Sequence, residues 1–258
     1  MEMWLQFIPG FLLVLCRITC FFVTAPVFST HNVPVPFRIG LAFFVSLITF
    51  FTVGTGTLIE IDALYFLAVI REVLVGLLLG FLAYIFFTAV QVAGSFTDLQ
   101  IGFGMANMVD PLTGVSSPLI GNFKFMLAIL LFLSFDGHHF LLQGIMGSYQ
   151  WVPLDHEWFA KIYSGEISQF LLKSFGEMFM LAFQLAAPLV VSLFLADIGL
   201  GILARTAPQF NIFVVGFPLK ILLGLILLLF LVPSFADLFR GLFNRMFESM
   251  RELLQMLS

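Results

Sequence analysis

Long uncharged stretches dominate the chain and predict helices that cross a membrane. Residues 18–37, 39–59, 73–97, 178–196 and 221–236 contain no Asp, Glu, Lys or Arg. A hydrocarbon layer about 30 Å thick is crossed by roughly 20 apolar residues in a helix. Soluble domains do not contain so many uncharged runs of this length, so the pattern indicates an integral membrane protein.

The same pattern predicts an all-α fold of about six apolar segments, arranged as helical hairpins within one membrane domain, 1–258. Prolines and glycines separate the segments, because these residues interrupt helices. Residues 146–173 are the most polar stretch and are predicted to form a solvent-exposed loop. The distribution of Lys and Arg favours both termini in the cytoplasm. The expected segments are 7–28, 39–53, 63–93, 123–142, 174–204 and 212–235.

Composition supports a membrane protein and argues against several other classes. Hydrophobic residues make up 61% of the chain and charged residues 10%, with a mean hydropathy of +1.10. A net charge of −4 provides no broad basic face for nucleic acid. No HExxH, P-loop, GxSxG or CxxC signature occurs, so we predict a protein that is not an enzyme and has no cofactor. We expect membrane lipid to surround the apolar helices.

Ionisable side chains inside apolar segments are costly and are expected to pair or to face water. Asp197 and Lys220 lie at nearly equal separations on either side of Pro208–Gln209. An antiparallel hairpin turning there puts the two residues level, so we predict a buried charge pair. The pair either fixes the register of the two helices or relays protons. The full set of candidates is Arg17, Arg71, Glu72, Glu177, Asp197 and Lys220.

The sequence Phe135-Asp136-Gly137-His138-His139 contains potential metal ligands. Adjacent residues of a helix point in different directions, and Asp136 is the only carboxylate nearby. Hydrogen bonding at a helix end is therefore favoured over metal binding, and no metal site is predicted.

Residues 94–122 link the third and fourth segments and include a stretch rich in Gly, Met and small side chains. Irregular backbone at membrane depth is tolerated only where it is buried or lines a water-filled cavity. Methionine fills irregular gaps. The stretch is therefore either a pore plug or a plain surface loop. The candidate plug residues are Phe103, Gly104, Met105, Ala106, Asn107, Met108, Val109, Asp110 and Pro111.

Residues 237–258 form the last segment, in which apolar side chains recur at helical spacing with charges between them. This pattern predicts an amphipathic C-terminal helix. Three placements stay open: the membrane surface, a partner protein, or the chain's own helical bundle.

Residues 205–221 read RTAPQFNIFVVGFPLKI and carry a longer pattern. Together with residues 100–118, with Phe135–His139 and with the N-terminal Arg17 and Ala25-Pro26-Val27-Phe28, this pattern resembles the FliR family of type III secretion export-gate proteins. The resemblance spans nearly the whole chain. The residues expected to form a subunit-packing motif are Pro208, Gln209, Asn211, Phe213, Gly216 and Pro218.

The resemblance implies a non-enzymatic, multi-pass subunit of the flagellar basal body in the bacterial inner membrane. One copy is expected to join several copies of FliP and FliQ in a gate that passes unfolded flagellar subunits, with FlhB wrapped around it. The resemblance also implies that the Met-rich loop plugs the pore and that residues 174–236 form a FliQ-like hairpin. Apolar hairpins of such a gate can pack on neighbouring subunits, so six segments need not mean six spans.

Two other functions remain as alternatives. A small-solute secondary transporter also places Asp and Lys near the membrane midplane, although such transporters usually contain repeats, and no clear repeat occurs in this sequence. An intramembrane enzyme is disfavoured by the missing catalytic signatures.

Overall fold

Apolar helices build the described part of the chain, as the uncharged runs predict. The computed structural model describes residues 6–30, 33–54, 63–103, 118–154, 165–209 and 211–258. Within these ranges the regular structure is entirely helical, which confirms the all-α class. The elements are α1 (Ile8–Thr24), α2 (Val35–Thr49) with a π-helical turn (Phe50–Gly54), α3 (Ala63–Ile101), α4 (Leu119–Ser134), α5 (Gly137–Trp151), α6 (Glu166–Thr206) and α7 (Ile212–Leu257).

Four helical stretches among these residues are long and apolar enough to cross a membrane. They are Val35–Thr52, Leu64–Ile101, Glu166–Thr206 and Val214–Leu257, and α4 with α5 makes a fifth if this bent pair is one span. Among the described residues, four or five helical stretches are thus able to span a membrane, as expected of a multi-pass membrane protein. The helix α1 is apolar but shorter.

The predicted single segment at 123–142 is wrong, because α4 and α5 meet at an angle of 71°. Asp136 stands at the break with a φ of 56°, in the left-handed region. A residue in that conformation cannot continue a right-handed helix, and Gly137 follows it directly.

The predicted exposed loop at 146–173 is wrong at both of its ends. Residues 146–151 belong to α5, and residues 166–173 belong to α6. Tyr149 and Phe170 are buried in these turns. The polar residues on the opposite helix faces made the stretch look like a loop, because average polarity hides a single buried face.

Two helices run further than the sequence predicts. The helix α3 continues through residues 94–101 and α4 begins at Leu119, so the predicted plug loop at 94–122 is wrong at both ends and narrows to residues 102–118. The helix α7 passes through Pro218 and Pro233 without a break. Membrane helices tolerate proline because neighbouring groups satisfy the backbone that it frees.

The C-terminal part of α7 packs against the chain itself. Its apolar side chains are buried, including Met246, Leu253 and Leu257. The ring of Phe247 lies 5.6 Å from that of Phe140. Of the three placements left open for residues 237–258, the structure supports packing on the chain's own helices.

The first of two compact units comprises Met1–Phe86, Phe135–Phe175 and Phe243–Ser258. Within it α1 and α3 approach closely at Gly76 and Gly80. A Cβ atom on Gly76 would overlap the carbonyl oxygen of Arg17, and one on Gly80 would overlap the hydroxyl of Thr24. Small residues at this spacing let membrane helices touch along their backbones.

The second unit comprises Phe87–Ser134 and Gly176–Leu242. Here α3 meets α4 at a backbone contact, because a Cβ on Gly94 would overlap the Cα of Gly121. Further along the same two helices, the rings of Phe87 and Phe132 pack edge to face with centroids 5.1 Å apart. The remaining part of the unit is the hairpin made by α6 and α7.

Candidate functional site

A buried charge cluster lies in the first unit, where Arg17 on α1 meets Arg71 and Glu72 on α3. Arg17 donates to both oxygens of Glu72, from Nε at 2.6 Å and from Nη2 at 2.9 Å. Arg71 Nη2 donates to Oε1 of the same carboxylate at 2.9 Å. All three side chains are at most 4% exposed, so two cations share one buried anion.

The excess positive charge of this cluster is directed at the end of α5. Arg17 donates to the carbonyl oxygen of Val152 at 2.9 Å and to the hydroxyl of Ser148 at 2.9 Å, while Arg71 donates to the carbonyl oxygen of Leu154. Val152 caps α5 and Leu154 follows it, so both carbonyls belong to the chain that leaves the helix, where no intrahelical donor reaches them. The two guanidinium groups therefore fix the end of α5 against α1 and α3.

A second cluster joins α3 to α4 in the second unit. The carboxylate of Asp98 accepts the backbone N–H groups of Ile120 at 3.0 Å and Gly121 at 3.1 Å. Lys124 Nζ donates to Thr97 Oγ1 at 3.3 Å and lies over the ring of Phe235. Asp98, Thr97 and Lys124 are all buried.

The structure brings together the predicted charge pair of the hairpin. Lys220 Nζ lies 2.9 Å from both carboxylate oxygens of Asp197, and Gln100 Nε2 donates to Oδ2 at 2.8 Å. The pairing is as predicted, but the side chains of Lys220 and Asp197 are 18% and 38% exposed, so the pair is partly exposed rather than buried. Leu193 approaches Gly224 one turn away on each helix, which fits an antiparallel pairing centred on Pro208–Gln209.

The residues of the predicted packing motif lie at the turn of this hairpin and at the start of α7. Pro208, Gln209 and Asn211 are exposed, and the carbonyl oxygen of Asn211 accepts the N–H groups of Val214 and Val215. Gly216 is buried and Pro218 is exposed. The backbone of Phe213 belongs to α7, and the structure does not describe its side chain.

Of the predicted plug, only Phe103 belongs to the described part of the chain; residues 104–111 lie outside it. Gly102 ends α3 with a φ of 105°, a conformation that favours glycine. A Cβ at Gly102 would sit 2.6 Å from the ring of Phe217 on α7. The end of α3 is thus packed against the hairpin directly before the predicted plug.

At the break between α4 and α5, the side chains of Asp136, His138 and His139 gather. One ligand atom from each lies within 4.8 Å of the others. The side chains of Asp136 and His139 are 74% and 66% exposed. Asp136 occupies the N-cap position of α5, but its side chain makes no capping hydrogen bond, so the predicted helix-end role is not seen for this side chain.

Comparison with known proteins shows the family to which the chain belongs. The family model described as "Bacterial export proteins, family 1" matches residues 8–246. The chain belongs to this family of bacterial export proteins. The match confirms the resemblance that the sequence motifs indicate.

Three relatives illustrate the family. The chain is similar to the flagellar biosynthetic protein FliR of Bacillus subtilis (strain 168), with 48% identity over 95% of each chain. It is 31% identical to FliR of Escherichia coli (strain K12) over 98% of this chain and 95% of that one. It is also 33% identical to the Yop proteins translocation protein T of Yersinia pestis, over 84% of this chain and 83% of that one.

Sequence reasoning missed the role of Asp98 and Lys124 in this family member. Asp98 falls within the stretch 94–122 that is predicted to link two segments, and Lys124 falls at the start of the predicted segment 123–142, so neither position suggests a contact. The signal that distinguishes them is the glycine pair Gly94 and Gly121, whose contact brings the two helices close enough for the carboxylate to reach.

Proposed function

We propose that this chain is a non-enzymatic subunit of the flagellar type III export gate. With FliP and FliQ it forms the channel through which unfolded flagellar subunits leave the cell. The observation that carries the proposal is the 48% identity to a FliR protein over 95% of both chains. The choice of a flagellar system over an injectisome rests on this relative alone, because the Yop translocation protein, at 33% identity, is as similar as FliR of Escherichia coli, at 31%. The corresponding location is the flagellar basal body in the bacterial inner membrane.

The hairpin of α6 and α7 supports a role in assembly, because its apolar faces point away from the chain. Only 33% of the most apolar window of α6 and 17% of that of α7 are buried, compared with 61% for α3. In the proposed gate, FliQ-like packing covers these faces, with FlhB outside. The Asp197–Lys220 pair then sets the register of the hairpin. The exposed turn at Pro208 and Gln209 is available to a neighbouring subunit.

The proposed plug comprises Phe103 and the Met-rich residues up to Pro111, and its role comes from the family resemblance. A deletion of residues 105–109, expressed with the partner subunits, is expected to make the membrane leaky to ions. A deletion of the same length at 157–161, in the connection before α6, is the matched control and is expected to stay sealed. Unchanged membrane conductance in the first deletion contradicts the plug.

The assembly itself is tested by native mass spectrometry of the tagged chain, purified in mild detergent from its own cells. The gate predicts one copy of this chain with several copies of two smaller membrane proteins. A bare monomer or a symmetric homo-oligomer contradicts the gate and favours a small-solute transporter. Loss of motility with normal solute uptake after deletion of the gene separates the two functions in cells.

A further inference from the structure

Three polar side chains at the start of α5 lie closer together than helix geometry alone predicts. Adjacent residues of a helix point about 100° apart. The ring centroids of His138 and His139 are nevertheless 4.4 Å apart, with the ring planes tilted by 48°. Oδ1 of Asp136 lies 3.8 Å from Nδ1 of His139. The structure thus gathers two imidazoles and one carboxylate, which removes the reason for which the sequence disfavours a metal site.

The helix does not use the carboxylate of Asp136. An aspartate at the N-cap position ordinarily accepts a backbone N–H group of the first turn through its side chain. The side chain of Asp136 makes no such hydrogen bond. Its backbone carbonyl oxygen instead accepts the N–H groups of His139 at 2.9 Å and Phe140 at 3.3 Å. The carboxylate is therefore available to another binding partner.

A ring nitrogen of His138 supplies a separate observation that points to a bound species. Its Nδ1 atom is buried and has no hydrogen-bond partner among the described residues. Buried polar atoms almost always have a partner, and an exception calls for an explanation such as a bound water or ion. The side chains of Asp136 and His139 are largely exposed, so an ion from solution can reach the group.

Two imidazoles and one carboxylate suit a divalent transition metal ion. Imidazole binds Zn²⁺, Cu²⁺, Ni²⁺ and Fe²⁺, whereas Mg²⁺ and Ca²⁺ prefer oxygen donors. Zn²⁺ binds these donors at roughly 2.0–2.2 Å, so two donors of a tetrahedral site are about 3.3 Å apart. One ligand atom from each of the three side chains lies within 4.8 Å of the others. Side-chain rotations that close about 1.5 Å therefore complete a site of this geometry.

We propose that Asp136, His138 and His139 bind one divalent transition metal ion, with water as its fourth ligand. The positive end of the α5 dipole opposes a cation, and the charge of Asp136 offsets this repulsion. The ion joins the residue before α5 to the first turn of α5, and it thereby holds Asp136 in its left-handed conformation. The site is independent of the proposed export function, because it rests on the geometry of these three residues alone.

The test measures Zn²⁺ binding to the full chain, purified in mild detergent with a histidine-free tag and stripped by a chelator. Titration against a competing Zn²⁺ indicator gives the Kd. Asp136→Asn removes the charge but keeps a residue that tolerates the left-handed conformation, and His138→Gln removes an imidazole. We expect each variant to bind Zn²⁺ at least about 100-fold more weakly, since even the loss of an outer-shell partner costs about 10- to 100-fold. Excess Mg²⁺ is expected not to compete.

Asp237→Asn is the matched control, since it makes the same chemical change at another exposed position. We expect it to bind Zn²⁺ as the wild type does. Zn²⁺ should also raise the Tm of the wild type and of this control, but not that of Asp136→Asn. If Asp136→Asn does not fold, Asp136→Gly replaces it, because glycine adopts the same backbone conformation and offers no ligand. A wild type that binds no Zn²⁺, or variants that bind it equally well, overturn the site.

Discussion

At the scale of single residues, the structure is organised by a few buried charges in an apolar environment. Arg17, Arg71 and Glu72 form one closed group in which one carboxylate binds two guanidinium groups. Removing Glu72 leaves two buried guanidinium groups with neutral acceptors only and no counter-charge, which is more costly than the group is stabilising. A substitution at any one of these three residues therefore changes the environment of the other two.

Glu72→Gln is expected to destabilise the protein by about 3–5 kcal/mol, because both buried arginines lose their counter-charge. Thermal unfolding of the purified complex measures the change. Glu248→Gln is the control, since Glu248 pairs with Arg245 on the surface, with both side chains more than half exposed. The control is expected to cost less than about 1 kcal/mol. Equal shifts in the two variants contradict the buried group.

The hairpin pair allows a second test at this scale. A double-mutant cycle of Asp197→Asn and Lys220→Met is expected to give a coupling energy of about 0.5–3 kcal/mol, as for residues in contact. Asp197 also accepts from Gln100, so Lys220→Met alone leaves the carboxylate one partner. A coupling energy of zero shows that the pair does not set the register of the hairpin.

The pairing of Asp197 with Lys220 was predictable, whereas the partners of Arg17 were not. The first two residues are joined by one turn, so helix geometry fixes their relative height. Arg17 and Glu72 are 55 residues apart, and Ser148 is 131 residues from Arg17. Sequence spacing carries no information about such contacts, since they depend on which helices become neighbours.

At the scale of elements, glycines determine where helices touch. Gly76 and Gly80 place α3 directly on the backbone of α1, and Gly94 places it on α4. Because these contacts are spread along α3, this helix is the most buried of the long helices. The same contacts position the charged residues of α3 against their partners.

Gly80→Ala is expected to destabilise the protein by about 1–3 kcal/mol, because the new methyl group overlaps α1 and forces the helices apart. Gly40→Ala is the matched control in α2, where nothing lies within 4 Å of the added Cβ. The stability of the Gly40→Ala variant should be unchanged or slightly higher than that of the wild type. Thermal unfolding compares the two, and equal effects argue against a close α1–α3 contact.

Helix existence was easier to predict from the sequence than helix ends. Apolar runs placed α1 to α3, α6 and α7 correctly, but the run at 123–142 concealed the break at Asp136. That break depends on one left-handed backbone conformation, which hydropathy does not register. The continuation of α7 through Pro233 was missed for a different reason, because proline usually interrupts a helix, whereas helices in a membrane tolerate it.

At the scale of the whole molecule, large apolar surfaces remain uncovered. Leu229 and Phe230 on α7 are 71% and 77% exposed. Lipid covers such faces as well as protein does, so exposure alone does not identify the neighbour. The family membership supplies the reason to expect other subunits there.

Leu229→Ala combined with Phe230→Ala is expected to reduce complex yield about 10- to 100-fold, a typical effect of truncating interface anchors. The isolated chain should keep its stability, because these side chains pack on little of their own protein. Phe239→Ala is the opposite control, since Phe239 is buried and its loss should destabilise the isolated chain. Native mass spectrometry and thermal unfolding give the two readouts.

The division of the chain between the two units has a consequence for biosynthesis. The unit that contains the N-terminus also includes Phe243–Ser258, whereas the other unit ends at Leu242. A ribosome adding about 5–20 residues per second therefore completes the second unit before the first. The N-terminal helices are therefore made before Met246, Leu253 and Leu257, which are part of the same unit, have been translated. A stop codon just before Phe243 leaves the second unit whole and the first unfinished.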